Sequence, residues 1–227
     1  MEKFALQKFE LRRDRFALFD RMDSPAVNIC FNLELPDFRP WCKEQGLAPF
    51  HVLLYAALRS VLSIENFCYR VLDGEVISVE QLIPSFTVTN LHDDLNFAMF
   101  EWSDDVREFV ARGRAARDEA VNMTGLNAKY ALLTPRQGKE QVFVTCIPWL
   151  DFTSIQHPTA TLANPDIPSL AWGRFRDAGA GRLQLPFSVQ AHHGFVDGFH
   201  IHRLGRQIDA ELTALITAPA GARTAAG

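Results

Sequence analysis

The stretch "VQAHHGFVDGFHIHRL", residues 189–204, decides how this chain is read. It holds four of the seven histidines within eleven positions, two of them adjacent. Upstream, "RLQLPFSVQAHH" (182–193) has a period of two. That period sets Leu185, Phe187, Val189, Ala191 and His193 on one strand face, and Ser188, Gln190 and His192 on the other. Neighbouring histidines on opposite faces do not converge on one ion. No H-E-x-x-H pattern joins His192, His193, Asp197, His200 and His202 into a metal centre either. Downstream, Phe199, Leu204, Ile208, Leu212 and Leu215 fall near helical spacing, so a final helix is expected from about Gly198, with His200 and His202 on its first turn.

A histidine at the end of a buried strand, with a carboxylate four residues on, has the makings of a general base. Partial burial keeps an imidazole neutral, and a fixed tautomer leaves one ring nitrogen free to accept a proton. Asp197 is open to three readings from spacing alone: it holds the imidazole, caps the helix, or pairs with a cation to brace the turn. Gly198 permits a close backbone approach that a side chain would forbid.

The rest of the chain sets this motif in an ordinary globular composition. Of 227 residues, 48% are hydrophobic and 18 are phenylalanine, enough for a substantial core. Mean hydropathy is −0.04 and the pI is near 6.0. With a net charge of −4, the basic footprint of a nucleic-acid or anionic-membrane binder is missing. The apolar run around "FHVLLYAAL" (50–58) is too short to span a bilayer, and "MEKFALQKFELRR" has no signal-peptide core. A cytoplasmic location is expected. Cys30, Cys42, Cys68 and Cys146 are scattered, which fits reduced thiols.

No repeat or linker divides the sequence, so one domain is expected over residues 1–217, followed by a flexible tail, "APAGARTAAG", at 218–227. Helices are expected at 12–22, at 36–45, through the apolar "PFHVLLYAALRSVLSI" (49–64), and at 103–123 behind a Ser103-Asp104-Asp105 cap. Strands are expected at 26–35, 85–91, 96–102, 141–150, 151–155, 169–175 and 182–193, the last two joined by a turn at 177–181. A hairpin is expected at 68–79, turning at Asp73-Gly74. The sum is an α+β fold: a large, mainly antiparallel mixed sheet with helices packed around it.

The chain also resembles a known family. "VQAHHGFVDGFH" is similar to the active-site segment of the chloramphenicol acetyltransferase family, typically "QVHHAVCDGFH". Four more segments agree in order: "RRDRF" (12–16) with "RKEHF", "DGEVISVEQLIPSFTV" (73–88) with "DGE...PSFTV", "IPWLDFTSI" (147–155) with "NPWVSFTSF", and "LPFSVQ" (185–190) with "LPLSVQ". The resemblance runs nearly end to end. It implies the CoA-dependent acyltransferase fold and direct transfer of acetyl from acetyl-CoA to a hydroxyl, with no metal and no covalent acyl-enzyme. His193 would be the general base and Ser154 the donor to the oxyanion. Asp197 would be a structural carboxylate paired with an arginine near the N-terminus, Arg12 or the adjacent Arg13. It further implies a homotrimer with sites between subunits, and contact of Arg174 and Phe175, in "AWGRF", with the adenosine part of CoA.

The acceptor side departs from the family. Phe19 stands for a tyrosine, Val27 for an aromatic and Ala171 for a threonine, and "IQHPTATLANPD" (155–166) replaces a segment beginning "FDLN". The acceptor is therefore expected to be chloramphenicol or a related small hydroxylated molecule. A related acyltransferase group, the dihydrolipoamide acyltransferases, carries "DHRxxDG", whereas this chain has Ala191-His192-His193 and no swinging linker. A same-fold enzyme with another acyl donor, and a homologue that binds a ligand without catalysis, stand as alternatives.

Overall fold

The computed structural model describes residues 7–158 and 165–218. The expected tail, from 219 on, and part of the 155–166 segment lie outside the described residues. In chain order the elements are α1 (Gln7–Glu10), α2 (Arg13–Phe19), β1 (Ala26–Pro36), α3 (Arg39–Gln45), α4 (Pro49–Leu62), β2 (Tyr69–Leu72), β3 (Glu75–Ser78), β4 (Ile83–Thr89), β5 (Leu95–Met99), α5 (Val106–Asn122), α6 (Pro135–Lys139), β6 (Gln141–Cys146), β7 (Ser169–Trp172), β8 (Arg176–Gly179), β9 (Arg182–His192) and α7 (Gly198–Thr217).

One seven-stranded sheet runs β1-β9-β7-β6-β4-β5, with β8 also on β9, and β2-β3 form a separate hairpin. Asp73 (φ 52°) and Gly74 (φ 80°) make the tight turn of that hairpin in the left-handed region. The sheet corrects one expectation: it is mixed rather than mainly antiparallel. β4, β6 and β7 are parallel neighbours at its centre, flanked by antiparallel pairs. Parallel order needs crossovers, and both are present: β5, α5 and α6 lie between β4 and β6, and a long segment joins β6 to β7. Several strand boundaries also move: the strand expected at 169–175 stops at Trp172, and β8 (Arg176–Gly179) runs into the stretch expected as a turn. The strand expected at 141–150 ends at Cys146, ahead of Pro148, which has no N–H to give a ladder. Residues 151–155, expected as a strand, form a loop.

β1 and β9 pair over eleven residues, from Ala26↔His192 to Pro36↔Arg182. Paired residues share a face, so the ladder has two distinct sides. Val27, Ile29, Phe31, Leu33 and Leu35, with their partners Ala191, Val189, Phe187, Leu185 and Leu183, form the apolar side, which joins the core. Asn28 and Cys30, with Gln190 and Ser188, form a polar side. Helix α4 lies at the heart of the core, buried almost all round from His51 to Val61. α7 packs on both α4 and β1. β9 is held on both sides by neighbours, so the turn beyond His192 is aimed from a rigid platform.

Candidate active site

The ladder stops at His192. His193 donates its N–H to Pro25 O at 2.7 Å, and Pro25 has no N–H to continue. His193 therefore opens a turn and does not extend the strand face on which the period placed it. The divergence of the two histidines holds, for a different local reason. His192 is buried, 5.4 Å from the Phe16 ring and 4.9 Å from Phe195. His193 is half-buried and lies against Phe19, centroid to centroid 4.1 Å.

Every carbonyl from His192 to Val196 accepts a hydrogen bond. His192 O takes Phe195 N and Val196 N, each at 2.9 Å. Arg12 donates to Gly194 O (3.2 Å) and His193 O (3.5 Å), and Asn66 Nδ2 donates to Phe195 O at 2.8 Å. Val196 O faces His193 Nδ1 at 3.0 Å. That last contact assigns the tautomer, because a carbonyl only accepts: Nδ1 carries the hydrogen and Nε2 is left with its lone pair. The other histidine is fixed in reverse. Gly194 N–H donates to His192 Nδ1 at 3.1 Å, so Nε2 of His192 bears the hydrogen.

Asp197 does two of the three things its position allowed. It caps α7, accepting from Phe199 N (3.0 Å) and His200 N (3.4 Å), and it pairs with Arg12 at 3.1 Å. The third task, holding the His193 ring, falls to the Val196 carbonyl instead. Burial pushes the Asp197 carboxyl up, but the Arg12 hydrogen bond and the charges of His200 and Arg12 outweigh this and hold it below the usual range. Arg13 pairs with Glu10 on the surface, so Arg12 is the partner. His200 completes the capping box through Asp197 N, and His202 is exposed.

Ser154 lies in the loop after β6, exposed, with its hydroxyl making no hydrogen bond among the described residues. The loop is tied down around it. Ile147 N bonds Trp172 O (2.9 Å) and Arg174 N bonds Leu150 O (2.8 Å). The Arg174 guanidinium donates to Trp149 O, and Arg176 pairs with Asp151. Gly173 admits this approach, since a Cβ there would lie 2.6 Å from Leu150 O. Asn28 Nδ2 donates to Ile155 O at 2.6 Å, bringing the Ser154 segment onto the polar side of the β1–β9 ladder.

The remaining expected residues are dispersed. Val27 pairs with Ala191, close to the turn. Ala171 is fully buried opposite Ser188, about 16 Å along β9 from His193 at a strand's rise. Phe175 lines a cavity of about 510 Å³ with Phe50, Phe86, Trp149, Trp172 and Arg117. Arg174 does not line that cavity; its guanidinium is turned to the loop. Two contributors escape a reading of the sequence. Asn66 carries no motif, and Asn28 reads as one more polar residue on a half-buried strand.

Comparisons with known proteins agree with this geometry. A family model described as "Chloramphenicol acetyltransferase" matches residues 3–209. Chloramphenicol acetyltransferase 2 of Haemophilus influenzae is 26% identical over 193 residues, 85% of this chain and 88% of the relative. The chloramphenicol acetyltransferase of Bacillus pumilus is 24% identical over 191 residues, 84% of each. Among solved structures, a chloramphenicol acetyltransferase superposes with a TM-score of 0.77 at 23% identity, covering 88% of this chain and 94% of that one. The cubic core of a pyruvate dehydrogenase complex shares the fold at a TM-score of 0.64 and 15% identity, covering 96% and 94%. A match along nearly the whole length, together with a turn that frees one histidine nitrogen, decides the affiliation: the chain belongs to the chloramphenicol acetyltransferase family.

Proposed function

We propose that the protein transfers an acetyl group from acetyl-CoA to a hydroxyl of chloramphenicol or a related small acceptor. The observation that carries this reading is the His193 ring, whose Nδ1 is committed to the Val196 carbonyl while Nε2 remains available as a base. His193 Nε2 takes the proton of the acceptor hydroxyl as its oxygen attacks the thioester carbonyl. Ser154 Oγ donates to the carbonyl oxygen as charge builds on it. The C–S bond then breaks, and the departing sulfur takes the proton back from His193. The products are the acetyl ester and free CoA, and the base is restored.

Acetyl-CoA supplies the activated acyl group, and the 510 Å³ cavity fits its apolar and aromatic portions, with Phe175 and Trp149 as ring surfaces and Arg117 as a cation for phosphate. Phe19 and Val27, on the elements flanking the turn, are the acceptor's neighbours; Ala171 is too deeply buried to touch it directly. The active form in this reading is a homotrimer of one-domain subunits with sites between them. Leu18 (58% exposed), Met22 and Phe199 (66% exposed) support it, as large apolar side chains around the catalytic turn that a second copy would cover.

An acceptor screen that follows thiol release from acetyl-CoA tests the proposal. Chloramphenicol-dependent release is the expected result. Release with another small alcohol and none with chloramphenicol would reassign the acceptor while keeping the chemistry. No release with any hydroxyl acceptor, despite binding of CoA, would favour a ligand-binding role.

A further inference from the structure

We infer that Asn28 is a positioning residue for the oxyanion donor, acting through the backbone next to Ser154; this rests on the role given to Ser154 above. The side chain bridges the β1–β9 ladder and the loop. Its Oδ1 accepts from Ser188 Oγ at 2.9 Å, and its Nδ2 donates to Ile155 O at 2.6 Å. The first bond orients the amide, because an oxygen turned to the Ser188 hydroxyl turns the NH₂ toward the loop. The second holds the Ile155–Gln156 peptide, one residue beyond Ser154.

The local setting makes this contact decisive. The other loop anchors lie upstream: Ile147, Trp149 and Leu150, with Asp151 pairing to Arg176. Downstream of Ser154, His157 N meets Gln190 Oε1 at a long 3.4 Å. Among the described residues, Asn28 thus makes a short side-chain tie on the downstream side of the donor. It stands on the rigid β1–β9 ladder, opposite Gln190 and two positions from the His192 pair at the head of the turn. One strand pair therefore carries the His193 turn at its end and, through Asn28, fixes where the Ser154 hydroxyl sits. A donor must be placed to a few tenths of an ångström to meet developing charge, and a side chain on a two-sided ladder is a better support than a loop. Ser188, fully buried, has the secondary task of keeping the amide the right way round.

The test is a double-mutant cycle on the full-length protein, with kcat read from thiol release at saturating acetyl-CoA and CoA binding read by calorimetry. Asn28→Ala is expected to lower kcat about 30-fold, inside the roughly hundredfold that a 1 Å misplacement costs. In a Ser154→Ala background the same change should cost less than about twofold, since the group it positions is gone. Asn28→Asp, which sets a carboxylate oxygen against Ile155 O, should cost at least as much as Asn28→Ala, and Ser188→Ala only about threefold. CoA affinity should be unchanged throughout. Equal losses in both backgrounds would overturn the inference while leaving Ser154 in place. If Ser154→Ala alone is fully active, the oxyanion role falls first and the inference with it. If Asn28→Ala does not fold, Ser188→Ala in the two backgrounds decides between the same outcomes.

Discussion

The turn at 192–198 and the loop at 147–157 bring the two proposed chemical groups to the site in opposite ways. At the turn all five successive carbonyls are satisfied, two by donors of the turn itself and three by Arg12 and Asn66 from distant segments. The loop has no ladder of its own. Its course is set by contacts with residues far away in sequence: Trp172, Arg174, Arg176 and Asn28. The base is thus held by a turn whose every carbonyl is bonded, and the oxyanion donor by a few tethers along an exposed loop. Damage to the turn should then appear as lost stability, and damage to the loop as lost rate.

The sharpest separation comes from removing the two groups themselves. His193→Ala should lower kcat by about 10³-fold, with the melting temperature little changed, because the ring is half-exposed and the backbone bonds of the turn survive. Ser154→Ala should cost about 10²-fold, again with an intact fold. Steady-state thiol release and a thermal melt measure both. A fully active His193→Ala protein would remove the base from the mechanism.

Glycine substitutions then set the two regions against each other. At Gly194 an added Cβ would lie 2.8 Å from the Phe16 Cα and 3.0 Å from the His192 ring, inside a packed aromatic cluster that cannot yield. Gly194→Ala should cost about 2–3 kcal/mol of stability by overpacking, read from a urea titration. At Gly173 the intruding Cβ would meet Leu150 O on an exposed loop, as well as Pro186. The Leu150 side can give by moving the loop, while the Pro186 contact strains the sheet edge, so Gly173→Ala should cost about tenfold in kcat and about 1–2 kcal/mol of stability, less than Gly194→Ala. If both variants lost stability equally and rate equally, the contrast between a locked turn and a tethered loop would fail.

The same contrast explains what is legible in the sequence. His193, Asp197 and Gly198 lie in one contiguous motif, and the strand and helix periods around it place them without tertiary knowledge. Arg12 is legible only through the family's paired arginine, and its neighbour Arg13 is excluded by a surface bond to Glu10 that no spacing reveals. The loop reads as a strand because Phe152, Thr153 and Ile155 are aromatic or β-branched, while the missing ladder partner is a tertiary fact. Strand direction is hidden for a similar reason: whether β4, β6 and β7 run parallel depends on where the crossovers return, not on the residues in the strands. Arg174 is expected, through the resemblance, to meet the adenosine part of CoA, yet its guanidinium is turned to Trp149 O.

The smallest expected effect concerns acid, and it separates the turn from the rest of the chain. Burial lowers the His192 pKa below its ordinary value, and the nearby Asp20 carboxylate, 3.4 Å away, only partly opposes it. In the unfolded chain this histidine takes up a proton as pH falls through about 6.5, while in the fold it stays neutral. The unfolded state then binds more protons, so stability falls as pH drops below that value. A protonated ring could not accept the Gly194 N–H, so the turn would loosen as well. His51, buried and pushed down to about 4, and His200, lowered by burial, act with the same sign elsewhere. Comparison with His192→Gln cancels their share, because both proteins keep them. Melting temperatures between pH 7 and pH 5 should fall less steeply in His192→Gln than in the parent. Parallel slopes would mean that His192 is already free to protonate in the fold, and that the turn's acceptor at Gly194 is not held by a neutral ring.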